Sequence, residues 1–329
     1  MDKKKIGLDK GLKNKIRFYD LYQKIGLFVI AFVMIVTFSI LTKGVFCSPT
    51  NIKNVLIQTS VNGIVSIGVA VVILTAGIDL SVGGIAVFAT IIGAILIRDG
   101  LFWPFGMLLI LLFGAFWGFI NGISVAKFKM NPFITTLAIM NITKGIAIVL
   151  SKGYTIYGFP KVISFFGQGK ILYFPTAGFI FIFITILVSI ILNNTRFGWN
   201  IYNVGGNSRS SLLSGINVDL HIISAYIISG ITAALGGIIL MARLLAVHVN
   251  MVTNLELDAI SAVVIGGVSL FGGEGNISGV FIGVLIIGII SNGLNLVGVS
   301  PYWQQVVKGV IIFIAVYLDV QKKKIKYSE

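Results

Sequence analysis

The sequence predicts an all-α, polytopic membrane protein with about ten transmembrane helices, and three observations predict it. Hydrophobic residues make up 57% of the 329 and charged residues 11%, with a mean hydropathy of +1.00. A water-soluble chain of this make-up would expose more apolar surface than such proteins tolerate. The apolar residues fall in runs close to the roughly 20 residues that a helix needs to cross a bilayer. The basic residues gather at the ends and between the runs. Eight of the 25 Lys and Arg lie between Lys3 and Lys24, and Lys322, Lys323, Lys324 and Lys326 close the chain. Such ends stay on the cytoplasmic side and are drawn to anionic lipid, so the net charge of +14 points to a membrane surface and not to nucleic acid.

Residues 1–24 read as a basic cytoplasmic arm. The apolar stretch from Ile25 to Leu41 is long and lacks a small-residue cleavage pattern, so it reads as a retained first span, 25–42, and not as a removed leader. Further spans are predicted at 55–76, 83–97, 104–126, 132–150, 174–193, 220–241, 257–271, 277–297 and 303–320. They make up a transmembrane domain over 25–320, followed by a basic tail, 321–329. Ten spans put both termini in the cytoplasm, together with Lys127, Lys129, Arg196 and Arg209. They also leave Lys43, Lys53, Arg98, Lys152, Lys161, Lys170 and Arg243 outside, against the usual bias. Spans three and eight are short and flanked by glycine. The 39 glycines are suited to close helix packing in lipid, where small residues let backbones approach.

Between the sixth and seventh spans, Thr195 to Asp219 is rich in Gly, Asn and Ser and carries Arg196 and Arg209. A polar segment kept in water by an otherwise lipid-soluble chain most often serves a partner or a ligand.

The chain also echoes itself. Thr75-Ala-Gly77-Ile-Asp79-Leu80-Ser-Val-Gly83 matches Ile265-Gly-Gly267-Val-Ser269-Leu270-Phe-Gly-Gly273 at an offset of 190, continued by Gly93 and Gly283. Asn121-Gly122 recurs as Asn292-Gly293 at offset 171, and Lys144-Gly145 as Lys308-Gly309 at offset 164. The ordered matches and the opposite predicted directions of the segments after Pro132 and Pro301 suit an inverted repeat, the common ancestry of a transport pathway between two halves. Chance similarity among Gly-rich apolar segments competes with this reading.

Asp79, Lys144, Arg243, Glu256, Asp258 and Lys308 lie inside or beside spans. Each costs a few kcal/mol against lipid and should meet protein, water or an opposite charge. For Lys144, Arg243 and Lys308 the simpler reading is snorkelling or a structural ion pair. Asp79 sits in Gly77-Ile-Asp79-Leu-Ser81-Val-Gly83, where glycines break the helix and Asp and Ser can cap the amides of a new one. A broken helix at membrane depth must be buried or line a cavity. Glu256 and Asp258 fall at a helix start, where carboxylates favour the dipole.

Enzyme chemistry has little to stand on. There is no G-x-x-x-x-G-K-[ST], no H-E-x-x-H and no G-x-S-x-G, so nucleotide hydrolysis in the usual way is excluded. Gly272-Gly273-Glu274-Gly275-Asn276 is a polar turn that fails as a phosphate cradle. His221 and His248 are too far apart in sequence to suggest a metal pair, and the lone Cys47 rules out an intrachain disulfide or a multi-cysteine site.

Seven motifs occur in order: Leu74-Thr-Ala-Gly-Ile-Asp79-Leu-Ser-Val-Gly83, Pro132-Phe-Ile-Thr-Thr136-Leu, Thr195-Arg-Phe-Gly198, Gly205-Gly206-Asn207, Ser214-Gly215-Ile216-Asn217-Val, Glu256-Leu-Asp258-Ala-Ile and Asn292-Gly-Leu-Asn-Leu296. Over about Asn51 to Asp319 the chain resembles the permease subunit of bacterial ABC importers for ribose and related monosaccharides. Relatives carrying galactosides, xylose or the autoinducer-2 signal share much of the pattern. The resemblance implies a multi-pass protein of the bacterial cytoplasmic membrane that forms a dimer with a second copy or a sister permease. It implies a cytoplasmic ABC ATPase subunit that handles ATP and magnesium, an extracytoplasmic sugar-binding protein, and no cofactor on this chain. It places a coupling helix within 195–219, with Gly205, Gly206, Asn207, Arg209, Leu212, Gly215 and Ile216 as coupling residues. Pathway or gating roles are expected for Gly77, Asp79, Ser81, Gly83, Asn121, Glu256, Asp258, Gly267 and Asn292. Two departures stand out. Ser208-Arg209-Ser210-Ser211 occupies a place where the family often has Glu-Ala-Ala, and Met251 to Asn254 precedes Glu256 where glycine is commoner.

The competing function is an ion-coupled secondary transporter of a small polar solute, using Asp79 or Glu256. It requires an unpaired carboxylate at the bilayer midplane, whereas the predicted spans put both nearer span ends. The residues alone indicate a transporter of undecided energy source, and the resemblance decides for ATP.

Overall fold

The computed structural model describes residues 10–327; residues 1–9 of the basic arm and 328–329 of the tail lie outside the described residues. α1 (Lys10–Leu41) joins the rest of the arm to the first span in one helix. There follow α2 (Pro49–Leu74), α3 (Val82–Arg98), α4 (Trp103–Ala126), α5 (Pro132–Ser151) and the short α6 (Ser164–Gln168). A two-residue hairpin, Lys170–Ile171 with Phe174–Pro175, leads to α7 (Thr176–Asn194), α8 (Arg196–Gly206) and α9 (Ser208–Leu213). α10 (Val218–Leu244), α11 (Leu255–Ile265), α12 (Ile277–Leu296) and α13 (Pro301–Tyr327) complete the chain.

Helix starts follow local chemistry. Proline stands in the first turn of α2, α4 and α5, where its missing N–H costs nothing. The side chains of Ser48, Asn131 and Asn276 accept backbone N–H groups at the starts of α2, α5 and α12.

Among the described residues, seven helices are long and apolar enough to cross a membrane, α2, α4, α5, α7, α10, α12 and α13, and two shorter apolar helices are Gly26–Leu41 within α1 and Val82–Arg98. With α11 these correspond one for one to the ten predicted spans. At about 1.5 Å per residue, α11, 11 residues long, reaches only about half way across a core of roughly 30 Å.

α2 is the hub. Its most apolar stretch is 83% buried, against 28% for α4 and α5, which leave most of their surface uncovered by the rest of the chain. Glycines bring the backbones together and show the helix directions. A Cβ at Gly114 would meet the Gly230 carbonyl, one at Gly118 the Tyr226 carbonyl and one at Gly122 the Ile223 backbone, so α4 runs antiparallel to α10. Gly68 against Thr232 and Gly236 against Val65 set α2 antiparallel to α10, and Gly266 against Gly279 with Gly283 against Ala262 set α11 antiparallel to α12. The connections between helices therefore lie on two faces. α8 and α9 share one face with the ends of α2, α4 and α11 and the starts of α5, α10 and α12. The 42–48, 99–102, 152–175 and 297–300 connections lie on the other.

Two crossings begin with a non-α segment that leads into a helix, and the second of these segments holds a 3-10 turn, Val249–Val252. After α2, residues 75–81 turn back into the protein before α3 begins; after α10, residues 245–254 do the same from the opposite face before α11 begins. Asp79, Ser81 and Val247 are wholly buried and Val252 nearly so. α2–α5 and α10–α13 thus repeat the same order with reversed direction, as an inverted repeat requires. The pairs Asn121/Asn292 and Lys144/Lys308 fall on equivalent helices, α4 with α12 and α5 with α13. The offset of 190 does not. It aligns α3 with α12, whereas the fold aligns α3 with α11, and Gly267 to Gly273 form a surface turn between α11 and α12. Small residues recur wherever backbones approach, so a glycine pattern alone matched the wrong register.

Candidate translocation and coupling site

The first re-entrant segment is held by hydroxyls and amides. Asp79 Oδ1 accepts the Ser81 N–H at 2.9 Å and the Ser81 hydroxyl, and Oδ2 accepts the Ser229 hydroxyl at 2.7 Å. The Asn121 amide donates to Ser81 Oγ at 2.8 Å, Tyr226 OH donates to the Ile78 carbonyl at 3.1 Å, and the Leu80 N–H donates to Thr136 Oγ1 at 3.1 Å. Asp79 has no cationic partner among the described residues. It fastens the start of α3 to α4 and α10. Gly77 leaves room for the Tyr226 hydroxyl, 2.9 Å from where a Cβ would stand.

The second re-entrant segment delivers Glu256 and Asp258, both buried, to the first turn of α11. Lys308 Nζ on α13 lies 2.8 Å from Asp258 Oδ2, and Lys144 Nζ on α5 lies 3.8 Å from Glu256 Oε1. Glu256 Oε2 has no hydrogen-bond partner among the described residues and points at Gly83, where an added Cβ would stand 2.4 Å away. The carboxylate therefore sits at the N-terminus of α3 as well as that of its own helix, where both dipoles favour it. Asp79 and Glu256 were expected near span ends. They do stand at helix starts, but those starts lie inside the protein because a non-α segment enters it ahead of each helix.

Asn292 and Gly267 lie elsewhere. Asn292 and Asn51 exchange two hydrogen bonds, Nδ2 of each to Oδ1 of the other at 2.9 and 3.1 Å, which clasp α12 to the first turn of α2. Gly267, with φ +84, ends α11 in a left-handed turn.

A cavity of about 220 Å³ opens between α2, α10, α11, α12 and α13, with Gln58, Thr59, Asn62, Arg243, Ser291 and the Asp258–Lys308 pair on its wall. Of these, only Asp258 was singled out from the sequence as a pathway residue. Gln58, Thr59 and Asn62 belong to a short polar stretch, Gln58-Thr-Ser-Val-Asn62, inside an otherwise apolar run, and their spacing of three and four residues, which puts them on one helical face, was the signal available.

On the α8–α9 face, Thr195 Oγ1 accepts the Gly198 N–H, and Asn207 Oδ1 accepts the Ser210 N–H, so each short helix has its own cap. α8 rests on the end of α2 and on the turn between α11 and α12. The Gly273 N–H donates to the Leu74 carbonyl at 3.0 Å, and Gly205 covers that junction so closely that a Cβ would stand 1.8 Å from the Leu74 oxygen and 2.7 Å from the Gly273 nitrogen. Tyr202 OH donates to the Gly275 carbonyl at 3.2 Å. Gly206 faces open space. Arg209 and Leu212 stand out from α9 and line a groove with Lys129, Gly215 and Ile216, and Leu212 and Leu213 are 63% and 83% exposed. The expected coupling residues thus divide into a buried support, Gly205, and an exposed surface, Arg209 and Leu212.

A helical protein with an inverted repeat, two re-entrant segments at its centre and a polar knob seated on both halves is a polytopic membrane permease. The chain belongs to the family described as branched-chain amino acid transport system, permease component, which matches residues 51–316. It is 41% identical over 312 residues to the ribose import permease protein RbsC of Bacillus subtilis (strain 168), covering 94% of this chain and 97% of that protein. It is 37% identical over 309 residues to the D-allose transport system permease protein AlsC of Escherichia coli (strain K12), covering 93% and 94%. Identity to the galactose/methyl galactoside import permease protein MglC of the same strain is 36% over 331 residues, covering 94% and 97%. No solved structure matches.

Proposed function

We propose that the chain is the membrane-spanning permease subunit of an ABC importer that moves ribose or a related monosaccharide across the bacterial cytoplasmic membrane. The observation that carries the reading is the identity of 36–41% to ribose, allose and galactoside import permeases along nearly the whole chain. The α8–α9 knob agrees with it. A projecting Leu212 and Arg209 suit the groove of a cytoplasmic ATPase subunit, which would bind ATP and magnesium and perform the hydrolysis. An extracytoplasmic binding protein would deliver the sugar to the opposite face, and a second permease copy or a sister subunit would complete the pathway. Both basic ends then lie in the cytoplasm with α8 and α9.

Rigid-body motion of the ATPase would reach both halves through Gly205, because that residue contacts the end of α2 and the α11–α12 turn at once. Uptake of labelled ribose, allose and galactose into proteoliposomes holding this chain, the ATPase and the binding protein, with and without internal ATP, tests the reading. Uptake that needs all three proteins and ATP is expected. Uptake driven by an ion gradient without ATP would replace it with secondary transport.

A further inference from the structure

We infer that Asp319 is a positioning residue for the transport step: it fastens α13 to the 269–275 turn on which α8 rests, so that a displacement of the knob carries α11 and α13 with it; this rests on the importer reading above. Asp319 Oδ2 accepts the Leu270 N–H at 3.1 Å and the Ser269 hydroxyl at 3.3 Å. This is the second tie between the same two elements. Asp258 with Lys308 and Ser269 with Asp319 are each 50 residues apart, so α11 and the turn that follows it lie parallel to α13 and in register with it. About 16 Å of helix separates the two ties. One tie would leave α13 free to pivot, whereas two fix its direction. Packing does not do this instead, because no residue in the most apolar stretch of α13 is buried within the chain.

The turn itself is closed and firmly seated. The Ser269 N–H donates to the Glu274 carbonyl and the Gly272 N–H to the Ser269 carbonyl, both at 3.0 Å. A Cβ at Gly272 would stand 2.6 Å from the Ala76 nitrogen just past α2, and one at Gly273 would stand 2.6 Å from the Gly206 Cα on α8. The Tyr202 hydroxyl reaches the Gly275 carbonyl from the same helix. Backbones packed this closely transmit strain and do not absorb it, so a push on α8 displaces the turn as a unit. Asp319 is the point at which that displacement passes to α13. A carboxylate suits the task, since one of its oxygens accepts both donors and its charge strengthens each bond.

The tie belongs to one face of the protein. At the offset of 164 that relates Lys308 to Lys144, Asp319 corresponds to Thr155, which lies past the end of α5 at Ser151. The counterpart of the 269–275 turn is the 99–102 connection, and among the described residues no hydrogen bond joins it to residues 152–155. A device needed only to hold the repeat together would recur in both halves. This one stands only on the α8–α9 face, where coupling to the knob requires it.

The test uses the reconstituted complex of this chain, its ATPase and its binding protein, with uptake and ATP hydrolysis measured on the same vesicles. Absence of ATP-driven uptake of ribose, allose and galactose by the unsubstituted complex would overturn the importer reading and this coupling role with it. Given uptake, Asp319→Ala is expected to lower uptake per assembled complex about three- to tenfold while hydrolysis changes by less than about twofold, so that more ATP is hydrolysed per sugar imported. Asp319→Asn, whose carbonyl oxygen can stand where Oδ2 does and accept both donors, is expected to restore uptake. Unaltered uptake in Asp319→Ala, a parallel fall of uptake and hydrolysis, or an Asp319→Asn as poor as Asp319→Ala would each overturn the coupling role while leaving the importer standing. An independent readout comes from Ser269→Cys with Asp319→Cys in a Cys47→Ser background, joined by a short bifunctional thiol reagent. A turn and a helix that move as one body should regain uptake when they are linked, and uptake that is lost or does not rise on linking would overturn the proposal.

Discussion

The Lys308 ammonium lies 2.8 Å from the Asp258 carboxylate, so α13 is tied to the first turn of the half-helix α11 by a largely buried ion pair. Lys144, its equivalent in the inverted repeat, faces Glu256, two residues before Asp258, at the longer distance of 3.8 Å and with a more exposed side chain. The two lysines clamp one turn of α11 from opposite sides. The clamp is unequal, because the tighter pair also accepts a hydrogen bond from Asn62.

Removing one partner of a buried pair strands the other charge, at a cost of about 3–5 kcal/mol. Lys308→Met should therefore lower the unfolding midpoint of the purified protein strongly, and the double variant Asp258→Asn/Lys308→Met should recover most of the loss. Lys144→Met should cost less, since that pair is longer, at 3.8 Å, and its lysine more exposed. Thermal melts of the four proteins in one detergent check the order. Equal losses at Lys144 and Lys308 would contradict it.

Gly205 and Gly206 make a sharper contrast, because they are neighbours in one helix. A Cβ at Gly205 would stand 1.8 Å from the Leu74 carbonyl, whereas one at Gly206 meets nothing within 4 Å. Gly205→Ala should displace α8 from the Leu74–Gly273 junction and reduce ATP-driven uptake at least tenfold, a barrier change of about 1.4 kcal/mol. Gly206→Ala should transport normally. Measuring uptake and ATPase co-purification for both variants at matched membrane levels decides the matter.

The sequence made the helices legible and left their partners hidden. Hydropathy located all ten, since each apolar run must be satisfied within one segment, and the Gly77-Ile-Asp79-Leu-Ser81 pattern disclosed the first re-entrant segment. The second was missed. Residues 245–254 contain no glycine or proline, and Val247, Val249 and Val252 read as the end of a span or an external loop. Likewise nothing local to Glu256 or Asp258 points to Lys144 or Lys308, nor does Asn292 point to Asn51, because such pairs exist only once distant helices meet. The residues expected to couple share one face, yet only packing distinguishes the buried Gly205 from the exposed Arg209 and Leu212.

Arg209 and Leu212 project from the α8–α9 face and support no buried contact, so substituting both with Asp should leave folding and membrane level unchanged. Two carboxylates on a surface that must enter a protein groove replace an apolar anchor and a cation with like charges, and each desolvated charge opposes association. Co-purification of the ATPase subunit should fall below detection, and ATP-driven uptake should be lost with it. Normal uptake by the double variant would remove α9 from the coupling surface.

Asp79 tests the energy source. Its carboxylate accepts the Ser81 N–H, the Ser81 hydroxyl and the Ser229 hydroxyl, and none of these needs the negative charge. In Asp79→Asn the remaining carbonyl oxygen can still accept the Ser81 N–H, while the new amide donates to Ser229 Oγ, whose hydroxyl turns to accept. Assembly and ATP-driven uptake should therefore persist. Asp79→Ala offers no acceptor, strands a buried N–H at about 1–3 kcal/mol and should lower the amount of folded protein. A proton- or sodium-coupled mechanism through Asp79 reverses the first expectation, since an amide cannot take up and release the ion. Loss of uptake in a folded, ATPase-bound Asp79→Asn variant would thus show that the charge itself works in transport, and retained uptake assigns Asp79 to holding the turn that precedes α3, a helix with no side-chain cap of its own.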